Sequence, residues 1–396
     1  MASQETIRDD GASRSSIYYD PRIRGIVLQV LVFVGLLLFI WWIVGNTIDN
    51  LRRANIASGF DFLNRRAGFD IAVSLVPFTS DSTFGQALLA GFLNTILVAV
   101  VGIITATIVG FLVGIGRLST NWLIARICTV YVEVFRNIPP LLVIFFWYLG
   151  VLSVLPLPRD SIEFPLDTYL NSRGFFFPKA IWGEGAWLIP VAFVVGIAMA
   201  YFVARKAYAR QMATGQPFPV LWTSLGLILG LPLLAFVVTG FPVTFETPQL
   251  GAFNLVGGWN VKPEFIALYL ALSFYTASFI AEIVRAGILG VARGQTEASY
   301  ALGLRPGHTL RLVVVPQAMR IVIPPLTSQF LNLTKNSSLA VAIGYPDLVA
   351  VGGTILNQTG QSIEVVAIWM VVYLSLSLAT SLFMNWFNAR MALVER

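Results

Sequence analysis

A row of polar side chains lies within one of the long apolar runs of the sequence, residues 312–343. Ser328, Asn332 and Lys335 recur at helical spacing and therefore share one face of a helix. Asn336 adjoins them. A lysine at membrane depth costs roughly 2.5–3.5 kcal/mol on insertion scales, so we expect this face to meet a cavity or a partner chain. The row predicts the lining of a path for a polar solute, with Lys335 attracting an anionic group such as a carboxylate.

Two structural interpretations of the same polar row are retained as alternatives. In the first, the polar face packs against a second membrane subunit. In the second, the long Lys335 side chain reaches past the apolar layer to the membrane interface. The lining of a path stays the working hypothesis, because ionisable residues inside a membrane are functional candidates by default.

The sequence offers little of the chemistry on which most enzymes depend. It has one cysteine, Cys128, and one histidine, His308, so no disulfide forms within the chain and a metal site built from these residue types is disfavoured. It contains no G-x-x-x-x-G-K-[ST] phosphate-binding loop, which excludes ATP hydrolysis by that route. We therefore predict no catalytic residue, no metal and no cofactor bound by this chain. A membrane enzyme is the weakest of the functions considered.

Two pairs of opposite charges lie near the predicted ends of helices. Glu133 precedes Arg136 by three residues, which places both on one helical face. Glu282 and Arg285 have the same spacing. We interpret all four as structural ion pairs and anchors, because exposed pairs at this spacing are common and weak.

The composition is that of an integral membrane protein. Of 396 residues, 57% are hydrophobic and only 12% are charged, against roughly 25% charged in soluble domains. The mean hydropathy is +0.77. A membrane-spanning helix needs about 20 apolar residues. We predict an all-α polytopic membrane protein with about eight transmembrane helices, at residues 26–44, 87–116, 117–155 (broken at Pro139-Pro140), 186–203, 220–240, 264–289, 312–343 (interrupted at Pro324-Pro325) and 363–387.

The second predicted helix carries two glycines, Gly110 and Gly114, four residues apart. Small residues at this spacing let two helices approach closely. The pair therefore suggests a packing face, although such pairs are frequent by chance in glycine-rich helices.

The distribution of basic residues orients the helices. Eight spans place both termini on one side, which carries 17 of the 26 lysines and arginines, while the opposite side carries eight. Because basic residues accumulate on the cytoplasmic side, we predict cytoplasmic termini and a cytoplasmic loop at 293–316. The net charge of +6 is attributed to this bias rather than to nucleic-acid binding. The leader is long and mixed in charge, so an uncleaved first helix is favoured over a signal peptide.

The loop at residues 293–316 carries clear helix signals. Thr296 suits an N-cap, and Glu297 suits the first turn, where a carboxylate favours the helix dipole. Gly303 suits the C′ position that ends a helix, and Pro306 suits the first turn of a second helix. We predict a compact helical loop through which the membrane part of the chain contacts something outside the membrane.

This loop resembles the cytoplasmic signature of the integral subunits of bacterial ABC importers, which is E-A-A, three residues, Gly, nine residues and I-x-L-P. Here the signature reads Glu297-Ala298-Ser299, Tyr300–Leu302, Gly303, Leu304–Leu312 and Val313-Val314-Val315-Pro316. The spacing is kept, serine replaces the second alanine, and valine replaces the isoleucine and the leucine. The resemblance implies a coupling helix that docks on a separate ATP-hydrolysing subunit. The implied coupling residues are Glu297, Ala298, Ser299, Gly303, Arg305 and His308. A chance match in an ordinary amphipathic loop is the alternative.

Further segments between residues 86 and 389 resemble the polar amino-acid branch of these permeases, the histidine/glutamine type. They are Gly91-Phe-Leu-Asn94-Thr95, Tyr131-Val-Glu133-Val-Phe-Arg136-Asn-Ile-Pro139, Ala281-Glu282-Ile-Val-Arg285-Ala-Gly287 and Lys335-Asn336-Ser337-Ser338-Leu339. The typical member has fewer helices, so the first helix and the pair at 186–240 are extra. This enlarged layout is similar to that of the general L-amino-acid importers of Gram-negative bacteria.

The resemblance implies a domain organisation and a function. A cytoplasmic leader, 1–25, and an extra helix with a periplasmic loop, 26–86, precede a type I ABC-importer permease core, 87–396, which includes the extra pair 186–240 and the coupling loop 293–310. The chain would translocate polar or general L-amino acids across the bacterial inner membrane by alternating access. The implied partners are a second, different permease subunit, an ATP-binding-cassette ATPase dimer that carries ATP and Mg²⁺, a periplasmic amino-acid-binding protein and membrane lipid, with no nucleic acid.

The competing hypothesis is a secondary amino-acid transporter or channel driven by an ion gradient. Such a protein needs carboxylates or histidines well inside its spans. Glu264, Glu282 and Glu364 all lie toward the ends of the predicted helices, which disfavours this hypothesis.

Overall fold

The computed structural model describes residues 21–53 and 59–391, a part of the chain that is dominated by helices. The helices are α1 (Pro21–Arg53), α2 (Phe84–Gly116), α3 (Trp122–Asn137), α4 (Pro140–Phe145), α5 (Leu188–Thr214), α6 (Val220–Val238), α7 (Pro263–Leu289), α8 (Arg293–Ala301), α9 (Pro306–Thr309), α10 (Val315–Asn336), α11 (Leu348–Thr359) and α12 (Ser362–Met391). Within this part, seven helical stretches are long and apolar enough to cross a membrane, and the bent pair formed by α3 and α4 makes up to eight. The predicted polytopic helical fold is confirmed.

The bundle is built on the contact between α2 and α7. Small residues allow the two helices to approach closely, as is typical of helix packing in membranes. A Cβ atom at Gly110 would lie 2.6 Å from the Cβ atom of Ile280, and one at Gly114 would lie 2.7 Å from the carbonyl oxygen of Ala281. The packing face suggested by the two glycines is confirmed.

Two buried apolar clusters hold the other core helices. The larger cluster joins α2, α4, α7 and α10, and it includes Leu272, Ile280, Ile323 and Leu333. The smaller cluster joins the segment before α2 to α2, α11 and α12, and it contains the fully buried Phe62. The helices that surround the predicted polar row are therefore held together by close packing.

The predicted break at Pro139-Pro140 is present. The chain bends by 112° between α3 and the helical stretch Pro140–Leu152, which begins with α4. Pro140 opens α4, and the helix then widens into π-helical turns over Phe146–Leu152. Proline lacks an N–H group and clashes with the preceding turn, which accounts for the break.

Eight short strands form a part of the fold that the sequence did not predict. They are β1 (Ile162–Phe164), β2 (Thr168–Asn171), β3 (Gly174–Phe177), β4 (Lys179–Trp182), β5 (Val243–Glu246), β6 (Gln249–Leu250), β7 (Leu255–Val256) and β8 (Trp259–Val261). One antiparallel sheet has the order β1-β2-β3-β8, and β4-β5 and β6-β7 form two-stranded sheets. We call residues 162–182 and 243–261 the β module. It joins the two polar segments that flank the α5–α6 hairpin.

Some helices are longer than predicted. α1 covers Pro21–Arg53 rather than residues 26–44, so the expected polar connection begins later. α5 continues to Thr214, which places Arg205, Lys206 and Arg210 in a helix rather than in a loop. The Ala, Arg, Lys, Gln and Met residues of this segment favour a helix, and Gly215, with φ of +71°, ends it.

Two further predictions about the last third of the chain are wrong. Pro324 and Pro325 do not interrupt α10, which continues from Val315 to Asn336. Prolines are tolerated inside membrane helices when surrounding groups satisfy the backbone groups that they free. The supposed connection at 346–362 contains α11, which Asp347 caps by accepting the N–H of Ala350 at 2.8 Å.

The α1 helix and the α5–α6 hairpin lie outside the core. α5 and α6 pack extensively against each other, with Gly196 close to the carbonyl oxygen of Leu227. No residue in the apolar windows of α1 and α6 is buried. These helices match the segments interpreted as extra from the sequence.

Candidate functional site

The loop between α7 and α10 consists of α8 and α9 joined by a tight turn. α8 ends in a Schellman motif, in which the N–H of Gly303 donates to the carbonyl of Tyr300 (2.9 Å) and the N–H of Leu304 donates to that of Ser299 (3.1 Å). Gly303 has φ of +79°, as the predicted C′ position requires. Pro306 is the first residue of α9, also as predicted.

The beginning of α8 differs from the prediction. The helix starts at Arg293 after an N-cap at Ala292, so Thr296 lies inside it and does not cap it. Glu297 consequently lies beyond the first turn. A side-chain cap contributes about 1 kcal/mol, and the end of α7 at Leu289 fixes where the next helix can begin, which outweighs that local preference.

The outer side of the loop is exposed and combines charged and apolar groups. Leu302, at the turn, is 81% exposed. Five of the six predicted coupling residues are also exposed, namely Glu297, Ala298, Gly303, Arg305 and His308. This surface offers a partner both an apolar contact and groups of either charge.

Ser299, the sixth predicted coupling residue, faces into the loop. Its side chain is buried, and its Oγ donates to the carbonyl of Gln295 at 2.7 Å. The Gln295 Oε1 atom in turn accepts from Nε2 of Gln317 on α10, at 3.2 Å. The Ser299 side chain therefore faces the interior of the loop.

The loop is mechanically continuous with the longest helical stretch of the bundle. α9 passes through π-helical turns at Leu310–Val314 directly into α10, and Pro306–Ile343 form one span.

Glu282 on α7 is the centre of a cluster of three arginines. It forms ion pairs with Arg117, with Arg285 (2.7 Å) and with Arg136 (3.7 Å). The guanidinium of Arg136 also lies 5.6 Å from the ring centroid of Phe279. The cluster joins the end of α2 and the helix α3 to α7. The sequence analysis did not predict the contribution of Arg117.

The predicted ion pair between Glu133 and Arg136 is absent from the residues described. Glu133 is exposed, and only its backbone carbonyl is engaged, by Nδ2 of Asn137 at 2.7 Å. Arg136 turns to Glu282 instead, a carboxylate that is less exposed to water than Glu133. The predicted pair of Glu282 and Arg285 is present.

A polar cavity of about 280 Å³ lies between α4, α7 and α10. Asn332 and Asn336 line it together with Gln329 and Thr276, and the aromatic rings of Tyr275 and Phe279 and the ring of Pro140 complete its wall. Amides and hydroxyls offer both donors and acceptors to a polar solute. The predicted residues Asn332 and Asn336 thus line the same cavity. Gln329 lines it as well, although the sequence analysis did not predict this.

Ser328 and Lys335 do not share that cavity. Lys335 lines a second cavity of about 320 Å³, against Trp369 and Tyr373 of α12. Ser328 is exposed, and it lines neither of these two cavities. The helical face predicted from spacing is therefore divided, because α12 packs beside α10 at Lys335 and α7 packs beside it at Asn332.

A buried polar network joins α2 to the connection before α11. Asn94 donates from Nδ2 to the carbonyl of Pro346 (2.9 Å), and the Tyr345 hydroxyl donates to the carbonyl of Asn94 (3.2 Å). The Thr95 hydroxyl accepts the N–H of Leu348 at 3.1 Å. Polar residues in the apolar run of α2 are the signal by which this network can be found in the sequence.

Asp347 is the buried carboxyl of this network and lies in the connection between α10 and α11, outside the spanning helices. Its side chain is fully buried. Burial raises the pKa of its carboxyl to about 6, although the N–H of Ala350 favours the charged form.

Comparison with known proteins places the chain in a family. Residues 192–393 match the family described as "Binding-protein-dependent transport system inner membrane component". The chain is 66% identical to the "General L-amino acid transport system permease protein AapQ" of Rhizobium johnstonii, over 98% of this chain and 96% of that protein. The chain belongs to this family of transport system inner membrane components.

Two further relatives agree with this assignment. The chain is 46% identical to the "Putative amino-acid ABC transporter permease protein YhdX" of Escherichia coli, over 96% of this chain and 97% of that protein. It is 42% identical to the "Glutamate/glutamine/aspartate/asparagine transport system permease protein BztB" of Rhodobacter capsulatus, over 98% of both chains. The chain is therefore a multi-pass permease subunit of a binding-protein-dependent transport system. The comparisons favour this function over that of a transporter driven by an ion gradient.

Proposed function

We propose that the chain is the translocating subunit of an ABC importer for polar and general L-amino acids in a bacterial inner membrane. It pairs with a second, different permease subunit and receives its substrate from a periplasmic amino-acid-binding protein. A separate ATPase dimer binds ATP and Mg²⁺ and drives the transport cycle. The identity of 66% to a general L-amino acid permease over nearly the whole chain is the observation that carries this proposal.

The coupling loop 293–310 is the contact to the ATPase in this proposal. Its exposed groups, the apolar Leu302 and the charged Glu297 and Arg305, suit a docking surface. Its continuity with α10 supports a mechanism in which closure of the ATPases moves the loop and tilts the helices beside the cavity. Both termini and this loop lie in the cytoplasm, as the excess of basic residues on that side favours.

The substrate path passes through the cavity at Asn332 and Asn336. Neutral amides there bind the ammonium and carboxylate groups weakly enough for release, and they make no selection by charge. Lys335 and Ser328 are assigned to the face toward the second permease subunit, because both are exposed and do not line this cavity.

Transport by the reconstituted importer tests the proposal. The chain, its partner permease and the ATPase are placed in proteoliposomes with the binding protein outside, and uptake of radiolabelled L-glutamine is measured. We expect uptake that requires ATP inside the vesicles and the binding protein outside. Uptake by the chain alone, driven by a proton or sodium gradient without ATP, would contradict the proposal.

A glycine substitution tests the coupling role of the loop. Gly303→Val forces a β-branched residue into φ of +79° and deforms the turn that presents Leu302. We expect at least a tenfold loss of ATP-driven uptake together with weaker ATPase association in pull-down.

Gly215→Val is the matched control for this test. Gly215 also ends a helix with φ of +71°, and a Cβ atom at either glycine meets no atom within 4 Å. We expect Gly215→Val to strain the chain by a similar amount and to leave ATPase association intact. Equal effects of the two variants would remove the coupling assignment.

A further inference from the structure

A cavity of about 590 Å³ lies where three parts of the chain meet. The segment before α2 contributes Val73, the helical end after α4 contributes Tyr148, and the β module contributes Ser172 and its neighbour Arg173. Its volume lies within the range of roughly 300–1,000 Å³ that is typical of small-molecule sites. It is separate from the cavity at Asn332, with which it shares no lining residue.

Sheet register brings two cations to one side of this cavity. Phe175 of β3 pairs with Val261 of β8, so Arg173 and Lys262, which flank these strands, lie at the same end of the sheet. A Cβ atom at Gly174 would lie 2.3 Å from the carbonyl oxygen of Val261, which shows how closely the turn at Arg173 is held against β8.

Hydrogen bonds hold the backbone of the turn that carries Arg173. The backbone N–H of Arg173 donates to Oδ1 of the buried Asn171 at 2.8 Å, and Nδ2 of Asn171 donates to Oγ of Ser161 at 2.9 Å. Neither Arg173 nor Lys262 has a carboxylate within 4.0 Å in the described parts of the chain. Two cations that form no ion pair in the described residues therefore line the cavity.

One carboxylate, that of Glu264, also lines this cavity. Glu264 lies in the first turn of α7, and its Oε1 atom accepts the hydroxyl of Tyr148 at 3.2 Å. Glu264 is half-buried, and no cation lies within 4.0 Å of it in the described residues. The positive end of the α7 helix dipole lies beside Lys262. It favours the binding of a ligand's carboxylate there.

We propose that this cavity binds a free α-amino acid as its zwitterion before translocation. The carboxylate lies between Arg173 and Lys262, and the ammonium lies against Glu264. The apolar residues Leu149, Leu152 and Leu157 line the remaining space and accept the side chain with little selection. This site rests on the proposed function, because it gives the importer a second binding site on the side of the β module.

Ligand binding to the intact complex tests the site. The complex of this chain with its partner permease and ATPase, in nanodiscs without binding protein, is titrated with L-glutamine, N-acetyl-L-glutamine and L-glutaminamide by saturation-transfer NMR. We expect L-glutamine to bind at least tenfold more tightly than the two analogues, each of which lacks one charge. Arg173→Gln and Lys262→Gln should each raise the Kd of L-glutamine about tenfold or more, and Glu264→Gln should remove the preference over the N-acetyl compound.

Matched controls separate this site from general charge effects. Arg159→Gln and Glu163→Gln remove the same charges from residues that line a different cavity next to the β module, and they should leave the Kd unchanged. Arg173 is exposed on a turn whose fold depends on backbone contacts, so Arg173→Gln remains decisive if another variant fails to assemble.

Three outcomes would overturn the inference. The first is an unchanged Kd in Arg173→Gln, and the second is equal binding of all three ligands by the wild-type complex. The third is a loss of binding-protein association in Arg173→Gln with normal amino-acid binding, which would make the two cations a docking contact. Failure of ATP-driven uptake by the wild-type importer would instead refute the proposed function, so the two failures are distinguishable.

Discussion

At the scale of single residues, the polar groups of this protein act mainly by joining helices. Glu282 gathers three arginines from α2, α3 and α7, and Asn94 holds the chain before α11. Outside the spans, the fold changes the protonation of Asp347, because burial raises the pKa of its carboxyl.

The pKa of Asp347 predicts a pH-dependent stability. Its folded value of about 6 lies above the ordinary value of 3.8, so the stabilisation is complete below about pH 4 and is lost as pH rises through 6. Asp347→Asn keeps the helix cap and removes the titration. Between pH 5 and pH 7.5 the wild type should lose about 1 kcal/mol relative to the variant. Thermal unfolding of the purified complex at both pH values measures this difference.

An exposed carboxyl provides the control for that experiment. Asp81 forms a surface ion pair with Arg66, and its side chain is 78% exposed. Asp81→Asn should therefore change stability little. A wild-type protein that gains stability relative to Asp347→Asn as pH rises would show that burial does not govern this carboxyl.

At the scale of elements, the α2–α7 contact determines how the bundle is held. Its glycines remove the side chains that would separate the helices, and large residues such as Ile280 fill the space. Lipid offers no hydrophobic drive for helix association, so close contact of this kind supplies much of the attraction.

Gly110→Ala tests this contact. Its Cβ atom would lie 2.6 Å from Ile280, so the helices must separate or repack, which costs about 1–3 kcal/mol. Gly226→Ala on α6 is the control, because its Cβ atom meets no atom within 4 Å. The melting temperature of the complex should fall for the first variant only. An equal change in both would indicate that helix flexibility, and not packing, is responsible.

At the scale of the whole molecule, the α5–α6 hairpin packs outside the helical core. The hairpin packs extensively only on itself among the described elements, and the paired strands β4 and β5 flank it in sequence. Trp182 at the end of β4 pairs with Val243 at the start of β5, so the two strands are already positioned for a short turn.

Removing the hairpin tests this separation. Replacement of residues 183–242 by Asn-Gly provides the two-residue turn that antiparallel strands prefer. We expect the shortened chain to insert, to retain the other spans and to bind the ATPase with unchanged affinity. Membrane accumulation and ATPase pull-down measure this, and a chain that no longer accumulates would show that the hairpin is needed to fold the core.

Local signals made much of the architecture predictable. Apolar runs identified the spanning helices, Pro139-Pro140 identified the break, and Gly303 and Pro306 identified the ends of the two loop helices. Each feature depends on the chain within a few residues, where hydrophobicity, a missing N–H group or a left-handed backbone decides the outcome. The roles of the coupling and path residues stay predictions.

The errors arise where two distant segments meet. Spacing placed Asn332 and Lys335 on one helical face, but α7 and α12 divide that face between two cavities. Glu133 is the near neighbour of Arg136 in sequence, yet the ion pair forms with Glu282 on another helix. Strands β3 and β8 lie too far apart in sequence for any local pattern to predict their pairing.

The sequence by itself determined a membrane-spanning helical bundle with a capped helical loop, because helix periodicity and end signals act over a few turns. Only the tertiary structure decided which polar side chains share a cavity, which arginines surround Glu282 and how Arg173 comes to lie beside Lys262. These relations depend on how helices and strands far apart in the chain are packed, and packing joins residues without regard to their separation in sequence.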